Sequence, residues 1–514
     1  MIDVLRRIGL PAILAALLGV ATTCSFAPFN LPLLPIATLA ALIFLWRRFP
    51  SKFDSTTIGL AFGLSYFYIG INWVYVSLHD FGGMPAALAV FCTFLLSLYL
   101  ATYSALVGFF QARIGARGWL QTILVIPSLW ALAEWLRGWL MTGFPWLSVG
   151  YAQVAGGPFA GYAPLLGVYG LSLLTVVAAG LLVNLFAALL ARDVRAASSA
   201  VLVIAILFGA NISLARIDWT SPLGAPISVS LLQGNITQDI KWKPETVTTT
   251  LTTYRDLTLA SKSKLIVLPE TAFPIFLEQM PEEYLEEFNE HAKKLDGDLL
   301  VGVPESTGPT TYHNSVVSFG VSPRQTYRKT HLVPFSEFIP FKWLIGWVYD
   351  DLLHMPLADF TAGDIDQKPF AVAGQKIAMT NCYEDLFGEE VIRKLPEATM
   401  LANVSNDAWF GRSWGPQQHV QIAQMRALET GRYLLRATNT GVTAIIDHKG
   451  RILSRAPEFT TTALNGAAQG FAGMTPYARY GNFVVVTGSI LMLLFAVALR
   501  TRRSSRRPTT SVNF

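Results

Sequence analysis

Several stretches of this chain are apolar over the length that crosses a lipid bilayer, and they constrain its fold more than any other feature. A membrane-spanning helix needs about 20 mostly apolar residues to cross about 30 Å of hydrocarbon. Charged residues make up only 14% of the chain, against roughly a quarter in average domains. We predict a polytopic α-helical membrane protein with about eight transmembrane helices, at about 8–25, 31–47, 57–77, 86–111, 119–140, 162–190, 198–215 and 482–499.

The middle of the chain differs from its two ends. Between about residues 225 and 475 the composition is that of an ordinary soluble domain. We predict transmembrane helices one to seven in 1–220, one globular domain in 221–478, and the last helix with a basic tail in 479–514. The net charge of +5 lies largely in that tail and in short loops. It therefore indicates membrane topology and excludes a nucleic-acid-binding face.

Basic residues alternate between the loops that separate the apolar runs. They precede the first run and follow every second run, whereas the loops after the first and third runs have none. The positive-inside rule then places both termini in the cytoplasm and the globular domain on the outer side of the membrane. In a bacterium with two membranes, that is the periplasmic side of the inner membrane. The residues that give this orientation are Arg6, Arg7, Arg47, Arg48, Lys52, Arg113, Arg117, Arg192, Arg195, Arg500, Arg502, Arg503, Arg506 and Arg507.

The globular domain alternates short β-branched runs with helical stretches. This alternation is typical of layered α/β packing around a largely buried sheet. Two segments, 284–295 and 417–437, have the composition of helices. Apolar runs that end abruptly in a polar residue place that residue at a strand end, where α/β proteins collect their sites. We predict strands at 227–233, 264–270, 299–305, 314–320, 376–382, 399–407 and 442–448.

Three such polar residues form a coherent chemical set. Glu270 ends an apolar run, Lys329 lies in a polar and aromatic motif, and Cys382 stands where an apolar run gives way to a helix-compatible one. A carboxylate can take the proton of a thiol, the thiolate can attack a carbonyl, and an ammonium can stabilise the oxyanion. The backbone N–H of Tyr383 is a second candidate donor to that oxyanion. The three residues together therefore predict a nucleophilic enzyme.

Each of these residues also has an ordinary alternative. Glu270 could be a helix-start charge, Lys329 a surface lysine, and Cys382 an inert buried thiol. The remaining cysteines, Cys24 and Cys92, lie in apolar runs. An odd number of cysteines, two of them in such runs, argues against a disulfide framework.

The motifs around these residues carry a family resemblance. The order Glu, Lys, Cys resembles the nitrilase, or carbon–nitrogen hydrolase, superfamily, whose domain is an αββα sandwich. The whole chain, with spans before and after that domain, resembles the apolipoprotein N-acyltransferase family. Ser336 and Leu268 depart from its usual Gly and Trp but remove no reacting group. The matching motifs are QGNITQDIKW (233–242), LPETAFP (268–274), YRKTHLVPFSEFIP (327–340), NCYEDLF (381–387), NVSNDAWFG (403–411) and RALETGRYLLRATNTGV (426–442).

The resemblance implies a ping-pong acyl transfer without a metal or soluble cofactor. A cysteine thiolate takes an acyl chain from a phospholipid, with the sn-1 chain of phosphatidylethanolamine as the implied donor. The α-amine of an S-diacylglyceryl-cysteine at the N-terminus of an apolipoprotein then attacks the thioester. This is the final step of lipoprotein maturation. The implied roles are Glu270 as general base, Lys329 as oxyanion stabiliser, Cys382 as nucleophile, Glu337 as support for the lysine, Tyr383 and Glu384 as neighbours of the nucleophile, and Trp242 near substrate entry.

Four other segments are candidates for supporting roles. The aromatic segment 338–357 is too interrupted to span a membrane, so we predict an interfacial lid, with a core-covering helix as the alternative. Glu134 and Arg137 lie one helix turn apart in the fifth run, which favours a structural pair over a lipid-headgroup contact. Further candidates are Asn406 and Asp407 for turn backbone, Trp409 and Phe410 for acyl-chain contact, and Arg426, Glu429, Arg432 and Arg436 for ion pairs within a helix or the core.

Two other functions fit parts of the sequence. A membrane-anchored amidase or nitrilase would share the triad and discharge its intermediate to water, but it needs neither eight spans nor a lid. A catalytically inactive lipid-binding or transport protein would explain the spans. Transporters usually show internal repeats or broken polar helices, and the sequence has no evident repeat.

Overall fold

The computed structural model of the protein describes residues 2–154, 156–340, 342–343 and 359–505. Eleven helices of ten residues or more occur within these ranges. In chain order they are α1 (Ile2–Thr23), α2 (Leu34–Arg48), α3 (Lys52–Gly70), α4 (Ala86–Ile114), α5 (Ile126–Arg137), α6 (Ala163–Leu190), α7 (Val194–Leu214), α8 (Pro244–Ala260), α9 (Glu282–Lys294), α10 (Gly415–Thr430) and α11 (Phe483–Ser505).

The chain forms two compact units. The first combines Met1–Asn72, Phe91–Ile217 and Tyr480–Phe514, and the second combines Trp73–Val90 with Asp218–Arg479. Helices α1 to α3, most of α4, α5 to α7 and α11 belong to the first unit, and the β-strands belong to the second. The short stretch 73–90 from the N-terminal half is therefore part of the unit that holds the strands.

The first unit supplies helices that can cross a membrane. Four described helices are long and apolar enough, at Ala86–Ile114, Ala160–Leu190, Val194–Leu214 and Phe483–Arg502. A bent pair that begins with α3 is a fifth candidate. In α7 the side chains of Leu202 and Ile206 are more than half exposed, as expected for a helix that faces lipid. The structure thus has four or five candidate spans.

Three predicted spans are not among these candidates. The apolar helix of the first one, Ile8–Thr23, is shorter than the four helices above. Helix α2 has only 15 residues, which is about 22 Å at 1.5 Å per residue. The predicted run 119–140 is divided between a π-helix at Leu120–Val125 and α5. The number eight therefore remains a prediction.

The charged pair of α5 is built into the first unit. The Glu134 carboxylate accepts a hydrogen bond from the backbone N–H of Val149, at 2.9 Å. The Arg137 guanidinium donates to the carbonyls of Phe144 and Trp146, both at 2.6 Å. Both side chains thus hold the loop that follows α5, which supports a structural role because buried charges persist only where they find partners.

The second unit contains two six-stranded sheets. The first sheet has the order β12-β1-β2-β3-β4-β5 and the second has the order β11-β10-β9-β8-β7-β6. The strands are β1 (Ser221–Gln233), β2 (Leu265–Val267), β3 (Asp298–Gly308), β4 (Thr311–Gly320), β5 (Thr326–Arg328), β6 (Phe370–Val372), β7 (Gln375–Asn381), β8 (Met400–Ser405), β9 (Leu434–Thr438), β10 (Ala444–Ile446), β11 (Ile452–Arg455) and β12 (Thr462–Ala472).

The two sheets pack face to face, with helices on both outer faces. Val229 and Leu231 of β1 share one buried cluster with Ile377 and Met379 of β7. Residues of α8 and α9 cover the other face of the first sheet, and α10 covers that of the second. Alternate side chains of a strand point to opposite faces, so each sheet buries both sides. This is an αββα sandwich, as the sequence resemblance implies.

The helix predicted at 417–437 is shorter than expected, and the prediction is wrong for its last third. The segment 417–437 was expected to be helical throughout, but α10 ends at Thr430 and Leu434–Thr438 is strand β9. Gly431 caps the helix in the left-handed region, at φ 65°, which glycine adopts without a Cβ clash. Arg436 therefore lies on a central strand and cannot pair along a helix. Within α10, Arg426 and Glu429 do pair, at 3.1 Å.

Candidate active site

Glu270 follows the short strand β2 and lies buried, 7% exposed. Its carboxylate accepts hydrogen bonds from the side-chain amide of Asn314, at 2.8 Å, and from the backbone N–H of Asn406, at 2.9 Å. The next residue, Thr271, has a positive φ of 46°, which is a rare conformation for a β-branched residue. The surroundings thus fix the carboxylate in one place on a strained turn.

Lys329 directly follows β5 and is almost completely buried. Its Nζ lies 2.9 Å from both oxygens of Glu337 and 3.6 Å from Glu270 Oε1. Burial by itself lowers the pKa of the lysine, but Glu337 and Glu270 raise it above its ordinary value. Lys329 is therefore a fixed positive charge rather than a proton carrier.

Cys382 occupies the corner between β7 and a 3₁₀ helix that runs from Cys382 to Leu386. The residue is partly exposed and has a positive φ of 53°, so the backbone is strained at the sulfur as it is beside Glu270. Desolvation and Glu270 raise the pKa of the thiol, while Lys329 lowers it. The thiol is thus protonated at rest, and the charges of Glu270 and Lys329 act on its pKa in opposite directions.

Asn314 connects Glu270 and Glu337 to the residue before Cys382. Its amide group donates to Glu270 and to Glu337, at 2.8 and 3.0 Å, and its carbonyl oxygen accepts from the Asn381 amide at 2.9 Å. Asn381 directly precedes Cys382. One buried side chain from β4 therefore aligns both carboxylates with the strand end that carries the thiol. The sequence carries only a weak signal for Asn314, a polar residue within an apolar strand, and no site role was predicted for it.

Glu384 acts as a clamp between the lysine loop and the cysteine corner. One of its oxygens accepts from the backbone N–H groups of Thr330 and His331, at 2.6 and 3.0 Å. The other accepts from the Tyr327 hydroxyl and the Asn381 N–H, both at 2.7 Å. Tyr383 is buried next to it and packs edge-on against a neighbouring ring. The structure thus places Glu384 among backbone donors, where it fits a supporting role.

These bonds lead to a prediction about acid stability. Burial raises the pKa of Glu384, but Lys394 and the hydrogen bonds lower it overall. A carboxyl group with a depressed folded-state pKa stabilises the fold above its unfolded value of about 4.3, and this is lost as the pH falls through the folded pKa. We expect the thermal unfolding midpoint of the full chain to decrease when the pH is lowered below about 4. The decrease should be smaller in Glu384→Gln, which has no carboxyl group to protonate at this position. Glu397→Gln, at an exposed position, is the control. A Glu384→Gln variant whose unfolding midpoint depends on pH as in the parent would contradict the prediction.

Trp242 stands apart from this buried network. The residue is half exposed, and its ring lies 5.8 Å from the ammonium of Lys241. Lys241 is itself buried and donates to the backbone carbonyl of Glu270, at 3.2 Å. Trp242 is therefore an accessible aromatic side chain separated from Glu270 by one lysine. Lys241 lies within the motif 233–242, and no role was predicted for it.

A buried ionic cluster lies behind the cysteine corner. His419 lies 3.0 Å from both Asp385 and Asp407, and Arg436 lies 2.8 Å from Asp407 and 3.3 Å from Asp385. Burial and Arg436 lower the pKa of His419, but the two aspartates raise it overall. Asp407 therefore does not merely satisfy turn backbone, as its sequence context had suggested. Asp385 belongs to the 3₁₀ helix that begins at Cys382. The cluster connects this helix to Asp407, after the end of β8, and to Arg436, in the middle of β9.

Removing the arginine from this cluster is expected to destabilise the domain. Arg436→Met leaves two buried carboxylates with one histidine, and breaking a buried charge pair costs about 3–5 kcal/mol. The thermal unfolding midpoint of the full chain should fall accordingly. Arg255→Met is the matched control, because the side chains of Arg255 and its partner Glu287 are 40% and 34% exposed and exposed pairs contribute about 0–1 kcal/mol. Equal unfolding midpoints for the two variants would argue against this role of Arg436.

Two further predicted segments have different outcomes. The lid 338–357 lies mostly outside the described residues, because residues 341 and 344–358 are not among them. Trp409 and Phe410 are described, and they contact the 73–90 stretch of the same unit. The Trp73 and Phe410 rings lie 4.5 Å apart, and the Ser77 hydroxyl donates to the Trp409 carbonyl at 2.8 Å. Acyl-chain contact by Trp409 and Phe410 stays a prediction.

Comparison with known proteins agrees with both parts of the chain. The N-terminal domain profile of apolipoprotein N-acyltransferases matches residues 18–181, and the carbon–nitrogen hydrolase profile matches residues 228–469. A solved carbon–nitrogen hydrolase from Helicobacter pylori G27 aligns with 55% of this chain and 97% of its own, at 18% identity and a TM-score of 0.35.

Full-length relatives match along almost the entire sequence. Apolipoprotein N-acyltransferase of Nitrosomonas europaea is 51% identical over 97% of this chain and 98% of its own. That of Chromobacterium violaceum is 44% identical over 97% of this chain and 95% of its own. Identity at this level over both the apolar region and the sandwich shows one common architecture, and the chain, a multi-pass membrane protein with an α/β sandwich, belongs to the apolipoprotein N-acyltransferase family.

Proposed function

We propose that this protein transfers a fatty acyl group from a phospholipid to the N-terminal amine of apolipoproteins through a thioester on Cys382. One observation carries the proposal. A partly exposed thiol on a strained corner is acted on electrostatically by a buried carboxylate, Glu270, and a buried ammonium, Lys329, that lie 3.6 Å apart. This set provides a base, a nucleophile and a fixed charge for the oxyanion.

In the first half-reaction, the Glu270 carboxylate takes the Cys382 proton and the sulfur attacks the carbonyl carbon of an acyl ester. The charge that develops on the carbonyl oxygen is stabilised by Lys329 and by the backbone N–H of Tyr383. The C–O bond then breaks, and the leaving alkoxide receives the proton from Glu270. The products are an acyl thioester and a lysophospholipid.

In the second half-reaction, the α-amine of a diacylglyceryl-cysteine attacks the thioester carbonyl. Glu270 accepts a proton from the amine, the C–S bond breaks, and the Cys382 thiolate recovers a proton. The amide product is the N-acylated lipoprotein. Glu337 fixes the lysine through two 2.9 Å contacts, so the positive charge stays in place through both halves without reorganisation.

We place the thiol on the periplasmic side of a bacterial inner membrane. The sequence supports eight spans with both termini in the cytoplasm, because basic residues alternate between loops as the positive-inside rule requires. The proposed domains are 1–220 and 479–514 for the spans and 221–478 for the catalytic domain. Phosphatidylethanolamine is the proposed donor, and the half-exposed Trp242 ring marks the proposed entry of substrate.

Mass spectrometry of the protein purified from membranes tests this function. A fatty-acyl mass on the Cys382 peptide that hydroxylamine removes would support the thioester. Adding a diacylglyceryl lipopeptide should discharge the acyl group to its amine, whereas incubation in buffer should leave it in place. Discharge to water at the same rate as to the amine would instead identify a hydrolase.

A further inference from the structure

Lys241 is a second buried lysine at the site, and the mechanism above gives it no role. It ends a four-residue helix, Gln238–Lys241, and is only 1% exposed. Its ammonium donates to the Thr271 hydroxyl at 2.5 Å and to the backbone carbonyl of Glu270 at 3.2 Å. A buried ammonium is costly unless its surroundings use the charge, so its position beside Glu270 requires an explanation.

The contacts of Lys241 fall on the strained turn that carries Glu270. Thr271 has a positive φ, and a β-branched residue holds that conformation only when its surroundings enforce it. The same short helix is also linked to the Glu270 carboxylate through Asn406. The side-chain oxygen of Gln238 accepts a hydrogen bond from the side-chain amide of Asn406, at 2.8 Å. The backbone N–H of Asn406 in turn donates to Glu270. The helix therefore holds Glu270 on both its backbone and its carboxylate side.

The charges of the site also leave a place for Lys241. Lys329 makes both of its 2.9 Å contacts with Glu337 and lies farther, at 3.6 Å, from Glu270. The site thus holds two carboxylates, Glu270 and Glu337, and two ammonium groups. Lys329 interacts mainly with Glu337. The ionisable groups that act on Lys241 are Glu270, on the turn after β2, and Cys382, at the corner after β7. Burial lowers the pKa of Lys241 more than Glu270 and Cys382 raise it, and the net pKa is about 8.

We propose that Lys241 is a positioning residue for this reaction: its ammonium fixes the Glu270–Thr271 turn and supplies the positive charge that stabilises a Cys382 thiolate. The proposal rests on the proposed function, since it takes Glu270 as base and Cys382 as nucleophile. When the proton moves from the thiol to Glu270, negative charge moves to the sulfur, and a nearby ammonium lowers the free energy of that state. The role requires the charge and not merely the shape of the side chain.

Alkylation of Cys382 by iodoacetamide tests the charge without any lipid. The full chain in detergent carries Cys24→Ala and Cys92→Ala, which leaves Cys382 as its one cysteine. The thiolate displaces iodide and gains a carbamidomethyl group, and intact-mass measurement follows the rate from pH 6 to pH 10. Lys241→Met removes the charge, Lys241→Arg keeps it, and Lys243→Met, at an exposed position two residues away, is the matched control.

We expect Lys241→Met to slow alkylation about tenfold at pH 7, where the Lys241 ammonium is charged, as for loss of a nearby opposite charge. The difference should shrink above about pH 8, where the lysine of the parent also loses its charge. Lys241→Arg should stay within about threefold of the parent at pH 7, and Lys243→Met should match the parent throughout. A purely structural lysine would give the same difference at every pH. Parent-like rates in Lys241→Met at pH 7, or a difference that does not change with pH, would overturn the proposal.

Two further comparisons keep the test decisive. If Lys241→Met loses the thermal transition of the parent, Lys241→Gln and Lys241→Arg are compared, because both lose the lysine geometry and only glutamine loses the charge. Slow alkylation in Gln alone supports the proposal, and equal rates overturn it. A parent that alkylates at Cys382 but never becomes acylated contradicts the proposed function instead. An acylating parent whose Lys241→Met variant alkylates normally contradicts only the role of Lys241.

Discussion

Replacing Cys382 with alanine is expected to reduce acyl-enzyme formation below detection. The sulfur is the atom that carries the acyl group in the proposed mechanism, and the side chains around it, Glu270 and Lys329, have no nucleophilic role. Cys382→Ser should retain little activity, because a hydroxyl is far less acidic than a thiol and Glu270 cannot readily deprotonate it. The measurement is the mass of the intact protein after incubation with phospholipid vesicles, followed by digestion to locate the acyl group.

The other cysteines provide the control for this experiment. Cys24→Ala and Cys92→Ala should acylate like the parent, because neither residue contributes to the network around Glu270. A Cys382→Ala protein that still carries hydroxylamine-labile fatty acid would show that another residue is the nucleophile. Because alanine is smaller than cysteine and the residue is partly exposed, the variant should keep the thermal unfolding midpoint of the parent.

Replacing Lys329 with methionine is expected to lower the acylation rate by at least about 10²-fold, the usual loss when an oxyanion donor is removed. A second effect adds to the first. Without the ammonium, Glu270 and Glu337 are linked through Asn314 with no cation between them, and repulsion between the two carboxylates opposes their native arrangement. Glu270 would then be held less firmly in the position from which it takes the thiol proton.

The two effects can be separated by comparing single-turnover acylation with alkylation of Cys382 by iodoacetamide. Loss of the oxyanion donor slows acylation alone, because alkylation forms no oxyanion, whereas a misplaced base slows both reactions. Lys376→Met is the matched control, because Lys376 lies on the strand that leads to Cys382 but is exposed and pairs loosely with Glu397. A near-parental rate in Lys329→Met would remove Lys329 from the oxyanion role.

Strand positions were predictable where the local pattern was decisive. The runs expected at 376–382 and 314–320 correspond closely to β7 and β4, because β-branched and apolar residues end at a clear polar boundary in both. Strand β9 was missed because LLRAT follows α10 after only three residues, 431–433, and its composition suits a helix equally well. Neighbouring strands on both sides of β9, rather than local propensity, decide its conformation.

The site divides in the same way. The sequence pointed to Glu270, Lys329, Glu337 and Cys382 because each lies in a distinctive motif. It did not point to Asn314, whose role appears only when folding brings β4 near Glu270, after β2, and Asn381, at the end of β7. It also assigned Asp407 to turn backbone, since the partners that give it an ionic role, His419 and Arg436, are distant along the chain.

By itself, the sequence determined that the chain is a multi-pass membrane protein with an α/β sandwich, and it pointed to Cys382 as the candidate nucleophile. Hydrophobic length, residue alternation and motif order are local properties, and they are legible without coordinates. Only the tertiary structure decided which charges face each other: the 3.6 Å separation of Lys329 and Glu270, the Glu384 clamp and the buried Lys241. Those relations depend on the packing of strands that are far apart in sequence, and electrostatic interactions change steeply with separation and burial.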